Sequence, residues 1–524
     1  MKKINNIIVT VTVIVCSVLA LYMFGARFME LTNGFQYDEL YSVATGTPSL
    51  SWSVIWNEML MKDVNLPLFN ILFYGWNHIF PISPFYGHLF STLLSALAVV
   101  AAWLLAPKSW PRLKRFFLVA MMSCSYILVV YGLNIRSYSL SVLLSTCFTL
   151  LALRILDHLA KQEKPSRALW LWFFGTGLLG AYSHYFCTAI FFSAALMVFL
   201  YACYFRCGRA WSFWGTAVVF FLWLPWAMHA VSVMGGVAAG EGASEWWYNT
   251  PFMLSVWGMF AFLFGTPAVQ FGLLLFCIVA GESVLFTERK KILLRTDYML
   301  PLGQVILLLA VLSVVGLRFN LWMDRYFLPL LPPIFILLSG LLYELQERHR
   351  VFILYLPVLL LGWVSCYWQV HWIYMPEYTG LRDAFTYLTG PNGPKKVLVD
   401  RTRTGYPSKA VDIMLDYYVP AGSDLEMIEL TPQSAHIAWE SNPKVPILML
   451  LCSQVHLIYT SLETATEEDA EPMLFGKDTC LYTAHHVELK KDQNAPRPEE
   501  PFAISNPPST LSRAGRQAAP KAGQ

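Results

Sequence analysis

The chain has 524 residues, of which 56% are hydrophobic, 15% aromatic and only 14% charged, against roughly 25% charged in a soluble globular domain. With a mean hydropathy of +0.49, this composition excludes a water-soluble globular protein and implies a chain solvated mostly by lipid. The formal charge of +3 is too small, and its lysines and arginines too scattered, for a nucleic-acid partner.

A helix that crosses a bilayer needs about 20 predominantly apolar residues, and runs of that kind recur along the chain. In order they cover 7–24, 84–106, 116–131, 137–156, 169–182, 186–205, 213–234, 269–285, 299–317, 327–345 and 351–370, about eleven spans of a polytopic α-helical membrane protein. Lys2 and Lys3 precede the first run as they would in a signal peptide. That run is long, however, and no small-x-small cleavage site follows it before Arg27, so it reads as a retained span. Basic residues gather at Lys2 and Lys3, 108–115, 154–167, Arg206 with Arg209, 288–295 and 347–350, which the positive-inside rule assigns to the cytoplasm. The apolar stretch 251–266 reads as re-entrant or interfacial, because a full crossing there would move 288–295 outside. On this topology the N-terminus is cytoplasmic, and 27–83, 133–136, 235–250, 318–326 and everything after 371 share the extracytoplasmic side.

The chain then divides into a transmembrane domain, 1–370, carrying a first outer loop, 27–83, and an extracytoplasmic domain, 371–489. In the latter, strand-like runs at 396–400, 425–430 and 445–451 alternate with helix-like runs at 381–388 and 408–418, the pattern of a small α/β domain. The tail, 490–524, is rich in Pro, Ala, Ser and Gly and reads as disordered. Most of the 10 cysteines fall in or beside apolar spans and behave as small hydrophobes. Cys452 and Cys480 fall on the outer side, where a disulfide is chemically permitted, though sequence alone does not pair them.

A charge at the bilayer centre costs roughly 2.5 to 3.5 kcal/mol on insertion scales. Arg154, Glu344, Glu282, His88 and Gln304 fall toward span ends, and only His229 and His184 look embedded. An ion-coupled transporter more often shows mid-membrane carboxylates or broken helices in matched halves; here the polar chemistry concentrates in outer loops. The first loop holds Asp38-Glu39, which on a helix diverge by about 100°, so one reacts and the other supports it. By themselves they read equally as a solvated acidic dipeptide opening a surface helix. Three further elements lie on the same side: Arg136-Ser137-Tyr138-Ser139-Leu140, His184-Tyr185-Phe186, and Asp324-Arg325-Tyr326 before a run containing Pro329 and Pro332. Each alone is also what an interfacial anchor looks like.

Taken together and in order, these elements resemble the membrane glycosyltransferases of the GT-C type, specifically the family 39-like proteins that include protein mannosyltransferases and the aminoarabinose transferase of lipid A. Asp38-Glu39 matches that group's first-loop acidic pair, and Asp63-Val64-Asn65-Leu66-Pro67-Leu68 resembles its Asp-x-His-Pro-Pro-Leu element. The Arg136 to Leu140, His184 to Phe186 and Arg325-Tyr326 elements are similar to its Ala-Arg-x-Tyr-x-Leu, Thr-His-Tyr and Arg-Tyr-x-x-Pro-x-x-Pro segments. Asn65 and Leu66 depart from the pattern, as does His88 where an Arg often begins the second span; these touch donor-specific contacts more than the reaction class.

The resemblance implies a helical membrane domain with two short interfacial helices in the first outer loop, in a bacterial inner membrane. The implied activity is inverting transfer of a hexosyl or pentosyl unit from a polyprenyl-phosphate-linked sugar to an acceptor glycan, lipid or protein. Asp38 would be the base, supported by Glu39. Arg136 and Arg325 would hold the lipid phosphate, with Tyr138, His184, Tyr185, Tyr326 and Asp63 completing the substrate site. Glu39, Asp63 and His184 permit, without requiring, a divalent cation, Mg, Mn or Zn. The alternatives are a polysaccharide ligase or polymerase using lipid-linked oligosaccharide, and a non-enzymatic lipid-linked sugar flippase or transporter.

Overall fold

The computed structural model describes residues 2–63, 65–239, 252–288, 295–316, 324–391, 393, 396–399, 417–419, 422–429, 446–450, 470–475 and 479–484. The expected helix at 408–416, Cys452 and the tail from 490 lie outside the described residues. The chain forms two compact units: unit 1 comprises Met1–Leu31, Val64–Phe73 and Gly87–His371, and unit 2 comprises Thr32–Asp63, Tyr74–Tyr86 and Trp372–Gln524.

The helices in chain order are α1 (Lys2–Ala26), α2 (Tyr37–Thr45), α3 (Trp52–Val54, continuing as π- and 3-10 turns through Lys62), α4 (Leu68–Asn77), α5 (Pro84–Leu105), α6 (Arg112–Cys124), α7 (Tyr126–Leu133) and α8 (Tyr138–Ala160). They continue as α9 (Arg167–Ala181), α10 (Tyr185–Tyr204), α11 (Arg209–Ala239), α12 (Phe252–Phe264), α13 (Pro267–Glu288), α14 (Thr296–Gly316), a 3-10 segment (Asp324–Leu330), α15 (Leu331–Arg348) and α16 (Tyr355–Leu388). Among the described residues, 8 helices are long and apolar enough to cross a membrane, or up to 10 if each of two bent pairs is one span. The expected run at 169–182 makes up the difference from eleven. Its helix, α9, has only 15 residues and is about 22 Å long, short of a hydrocarbon core of roughly 30 Å. The stretch expected to be re-entrant falls on α12, which meets α13 at a bend of 91°.

Unit 1 is built around α8. Its span is 83% buried, against 17% for α1, because Ser139, Ser141, Ser145, Thr146 and Thr149 are small enough to let neighbouring helices approach. Val18, Leu21, Leu104, Trp172, Phe221 and Val358 stay exposed, as lipid-facing side chains of an integral membrane protein do.

Both helix breaks free backbone carbonyls, and in a water-poor interior each needs a donor. Between α6 and α7 the chain bends by 53° at Ser125. The Arg27 guanidinium, 1% exposed, donates to the Ser123 carbonyl at 2.7 Å and the Met122 carbonyl at 2.8 Å. Between α12 and α13, the Tyr126 hydroxyl donates to the Phe262 carbonyl and the Trp363 indole to the Phe264 carbonyl at 3.2 Å. Gly265 turns the corner with φ +92°, and a Cβ there would lie 2.5 Å from Cys366 Sγ, so only glycine suits the position.

Embedded polar groups are more numerous than the sequence implied. Gln304 is fully buried and donates to Thr149 Oγ1 at 3.0 Å, and His88, also fully buried, pairs with the Leu31 carbonyl. At the end of the bundle where α14 begins, Lys114 Nζ meets Asp297 Oδ2 at 2.6 Å and Arg295 Nη2 meets Glu344 Oε1 at 2.8 Å. Lys114 also sits 4.0 Å from the Trp110 ring centroid. These charges are tolerated because each is paired; read from sequence they look like loop residues, since they sit at or just beyond span ends.

In unit 2 the strands are β1 (Lys396–Val399), β2 (Glu426–Glu429), β3 (Pro446–Leu450), β4 (Ala470–Phe475) and β5 (Thr479–Ala484), in sheet order β2-β1-β3-β5-β4. β1 runs parallel to β2 and β3, while β5 is antiparallel to β3 and β4. β1 to β3 coincide with the expected runs. β4 and β5 were not expected, although Gly476-Lys477-Asp478 between them is a hairpin-type loop sequence.

Candidate functional site

The predicted site residues are divided between the two units. In unit 2 the acidic pair opens α2. Gln36 takes an extended conformation (φ −66°, ψ 159°) and caps the helix, and Glu39 reaches back so that its Oε2 accepts the Gln36 N–H at 2.8 Å. This capping box occupies Glu39, which is fully buried, whereas Asp38 is half-buried on the first turn. The preceding backbone is held from the far end of the sequence. The Phe35 N–H donates to the Tyr418 hydroxyl at 2.8 Å, and Phe35 packs edge-on against Tyr417 at 5.2 Å. Burial pushes the Tyr418 hydroxyl well above the ordinary tyrosine range and that of Tyr417 up to about 12; both stay protonated. The Asn77 amide donates to the Gly46 carbonyl at 2.9 Å, closing the other end of α2. Asp63 is buried at the end of the 3-10 turn Leu60–Lys62.

In unit 1 three elements widely separated in sequence meet. Arg136 lies in the short turn between α7 and α8, where its N–H donates to the Asn134 carbonyl at 2.8 Å. His184 is the N-cap of α10: its backbone is extended (φ −161°, ψ 138°), and Nδ1 accepts the Phe186 N–H at 3.2 Å. Burial first, and then the nearby Arg136 charge, push the His184 imidazole down to about 3. It is therefore neutral, and with Nδ1 accepting, its proton sits on Nε2. The Tyr326 ring stands edge-on to His184 at 5.2 Å, and Tyr138 lies on another side at 6.2 Å. Phe186 also neighbours Tyr326, at 5.8 Å; Tyr185 is half-buried at the first residue of α10. Arg325 is half-buried on the same 3-10 segment as Tyr326. A narrow recess beside this cluster is lined by Ser95, Leu128, Tyr131, Tyr138, Ser139 and Leu328 among others.

No protein-family model matches the chain, and neither does any curated protein sequence. Solved structures do. ArnT from Cupriavidus metallidurans bound to undecaprenyl phosphate superposes with a TM-score of 0.55, over 91% of this chain and 99% of that one. Its apo state gives 0.52, over 93% and 100%. The chain has the fold of ArnT. Sequence identity is 11% in both comparisons, so the likeness is one of architecture.

Among the described residues no group of three or more His, Cys, Asp or Glu side chains is placed to hold a metal ion. His184 moreover offers an Nε2–H rather than a lone pair, and Glu39 is committed to the cap. No step below passes through a metal. The sequence reading missed Tyr417, Tyr418 and Phe186 as parts of these clusters. The adjacent tyrosines are the only local signal for the first two, since their contact with Phe35 joins residues more than three hundred positions apart.

Proposed function

We propose that the chain is a membrane glycosyltransferase that moves one hexosyl or pentosyl unit from a polyprenyl-phosphate carrier to an acceptor hydroxyl on the extracytoplasmic side, with inversion. The observation that carries this reading is the His184 cluster of unit 1, cationic and aromatic, in a fold whose solved counterpart ArnT binds undecaprenyl phosphate. A long isoprenoid needs an apolar surface between helices, and its phosphate needs cations and hydrogen-bond donors at the end of the bundle. Arg136 and Arg325 supply the charge, in the planar forked form that suits phosphate oxygens. The neutral His184 adds an Nε2–H donor without adding charge, and Tyr138 and Tyr326 line the site.

In the reaction, the acceptor oxygen forms a bond to the anomeric carbon as that carbon's bond to the phosphate oxygen breaks. The electron pair leaves on the polyprenyl phosphate, where the arginines offset the developing charge. Asp38 takes the acceptor proton, and Glu39 fixes the helix end from which Asp38 projects. The sugar and the acceptor, whether glycan, lipid or protein, are set by contacts these residues do not define.

The test is donor use by purified protein in nanodiscs. A polyprenyl-phosphate monosaccharide supports transfer, a polyprenyl-diphosphate oligosaccharide does not, and Arg325→Ala raises the donor KM. Use of the diphosphate oligosaccharide alone would mark a ligase instead, and movement of donor across the bilayer without transfer would mark a flippase.

A further inference from the structure

The cluster in unit 1 depends on a segment that its own backbone cannot hold. Arg325 and Tyr326 lie on the 3-10 helix Asp324–Leu330, which runs directly into α15. In a 3-10 or α-helical path the Pro329 carbonyl would accept from the N–H of residue 332 or 333. Both are proline, and neither has an N–H. Pro329, Pro332 and Pro333 are all buried, so water does not stand in. The carbonyl is instead met by Ser145, a fully buried residue on α8, whose Oγ donates to it at 2.6 Å.

Ser145 lies about two helical turns beyond Tyr138, on the same face of α8. One face of one helix thus carries an aromatic residue of the cluster and the donor that locates the segment opposite. Another support of that segment is apolar: Phe327 packs edge-on against Phe186 at 5.0 Å. An aromatic contact of this type tolerates sliding, whereas a buried 2.6 Å hydrogen bond sets a position along the helix.

We infer that Ser145 is a positioning residue: its hydroxyl fixes the Asp324–Leu330 segment and, through it, the placement of Arg325 and Tyr326 for the lipid phosphate. The second half of this statement rests on the function proposed above. Other buried serines do not have this role. Ser193, for example, donates to the Ala189 carbonyl of its own helix, which already has a helical partner.

The experiment compares Ser145→Ala, Ser145→Thr, Ser193→Ala, Arg325→Ala and the double variant Ser145→Ala/Arg325→Ala in nanodiscs, by two readouts. Hydrogen–deuterium exchange over residues 324–331 accelerates in Ser145→Ala, stays at the wild-type rate in Ser193→Ala, and returns toward it in Ser145→Thr, which keeps the hydroxyl. Undecaprenyl phosphate binds Ser145→Ala about tenfold more weakly than wild type, the size of effect expected from an unsatisfied buried carbonyl. That loss disappears in the Arg325→Ala background, because Ser145 acts through Arg325. Unchanged exchange in Ser145→Ala overturns the inference whatever the ligand. Wild-type affinity in that variant, or losses that multiply in the double variant, overturns the link to Arg325. A wild-type protein that binds no undecaprenyl phosphate overturns the functional reading, while the exchange data still decide whether Ser145 holds the segment.

Discussion

The two ends of the unit 1 bundle handle charge in opposite ways. Where α14 begins, two cations and two carboxylates close on each other: Lys114 on Asp297, and Arg295 on both Asp297 and Glu344. At the end where α10 begins, Arg136 stands beside a histidine that burial and that same arginine keep uncharged. The first arrangement is complete in itself and fastens α6, α14 and α15. The second sets a half-buried arginine next to a neutral hydrogen-bond donor, among the rings of Tyr138 and Tyr326.

Breaking this contrast should separate stability from activity. Asp38→Asn should lower sugar transfer by about 10² to 10⁴, the usual contribution of a general base, with membrane insertion and unfolding temperature unchanged; a steady-state transfer assay beside a thermal melt checks both. Lys114→Met should do the reverse. It leaves Asp297 with Arg295 as its cationic partner, at 3.3 Å, so the protein should lose about 1.5 to 3 kcal/mol of stability, the range of a hydrogen bond to a charged group, read as a lowered melting temperature in nanodiscs, while the surviving folded fraction keeps its donor KM. Arg136→Ala should weaken undecaprenyl phosphate binding roughly tenfold with little change in melting temperature. It should also raise the His184 pKa above about 3, while burial, the larger cause, still holds it below the free value, which NMR of ring-labelled histidine reports.

The last effect concerns pH. Above about 6.5 the His184 imidazole is neutral both folded and unfolded, so it adds no pH dependence there. As pH falls below that value the unfolded chain binds a proton that the folded one refuses until about 3. His184 therefore costs the fold about 1.4 kcal/mol per pH unit across that window. His184→Asn keeps an N-cap acceptor and should flatten that part of the stability–pH curve. An unchanged slope would show that His184 is not the group refusing the proton.

Much of this was legible in the sequence, and the reason differs by residue. Arg136, His184 and Arg325 stand out because each is a polar residue at the end of an apolar run. Helix periodicity likewise separates Asp38 from Glu39. What periodicity does not carry is partnership between distant elements. Tyr418 holds Phe35 and Ser145 holds Pro329 across 383 and 184 positions, and a serine inside an apolar helix looks like any small packing residue. The Lys114–Asp297 pair went unseen for a related reason: a charge near a span end looks like a loop residue until its partner on another helix is known. In the sheet, β4, with Glu471 and Pro472 in it, and β5 went unseen.

The account is tested most directly by following a radiolabelled sugar supplied as its polyprenyl-phosphate derivative to the wild-type protein and to Asp38→Asn, each with a cell-envelope extract as acceptor. The predicted result is label leaving the lipid and appearing in the acceptor fraction with wild type alone. Label that stays on the lipid with both proteins, or moves equally with both, would contradict it.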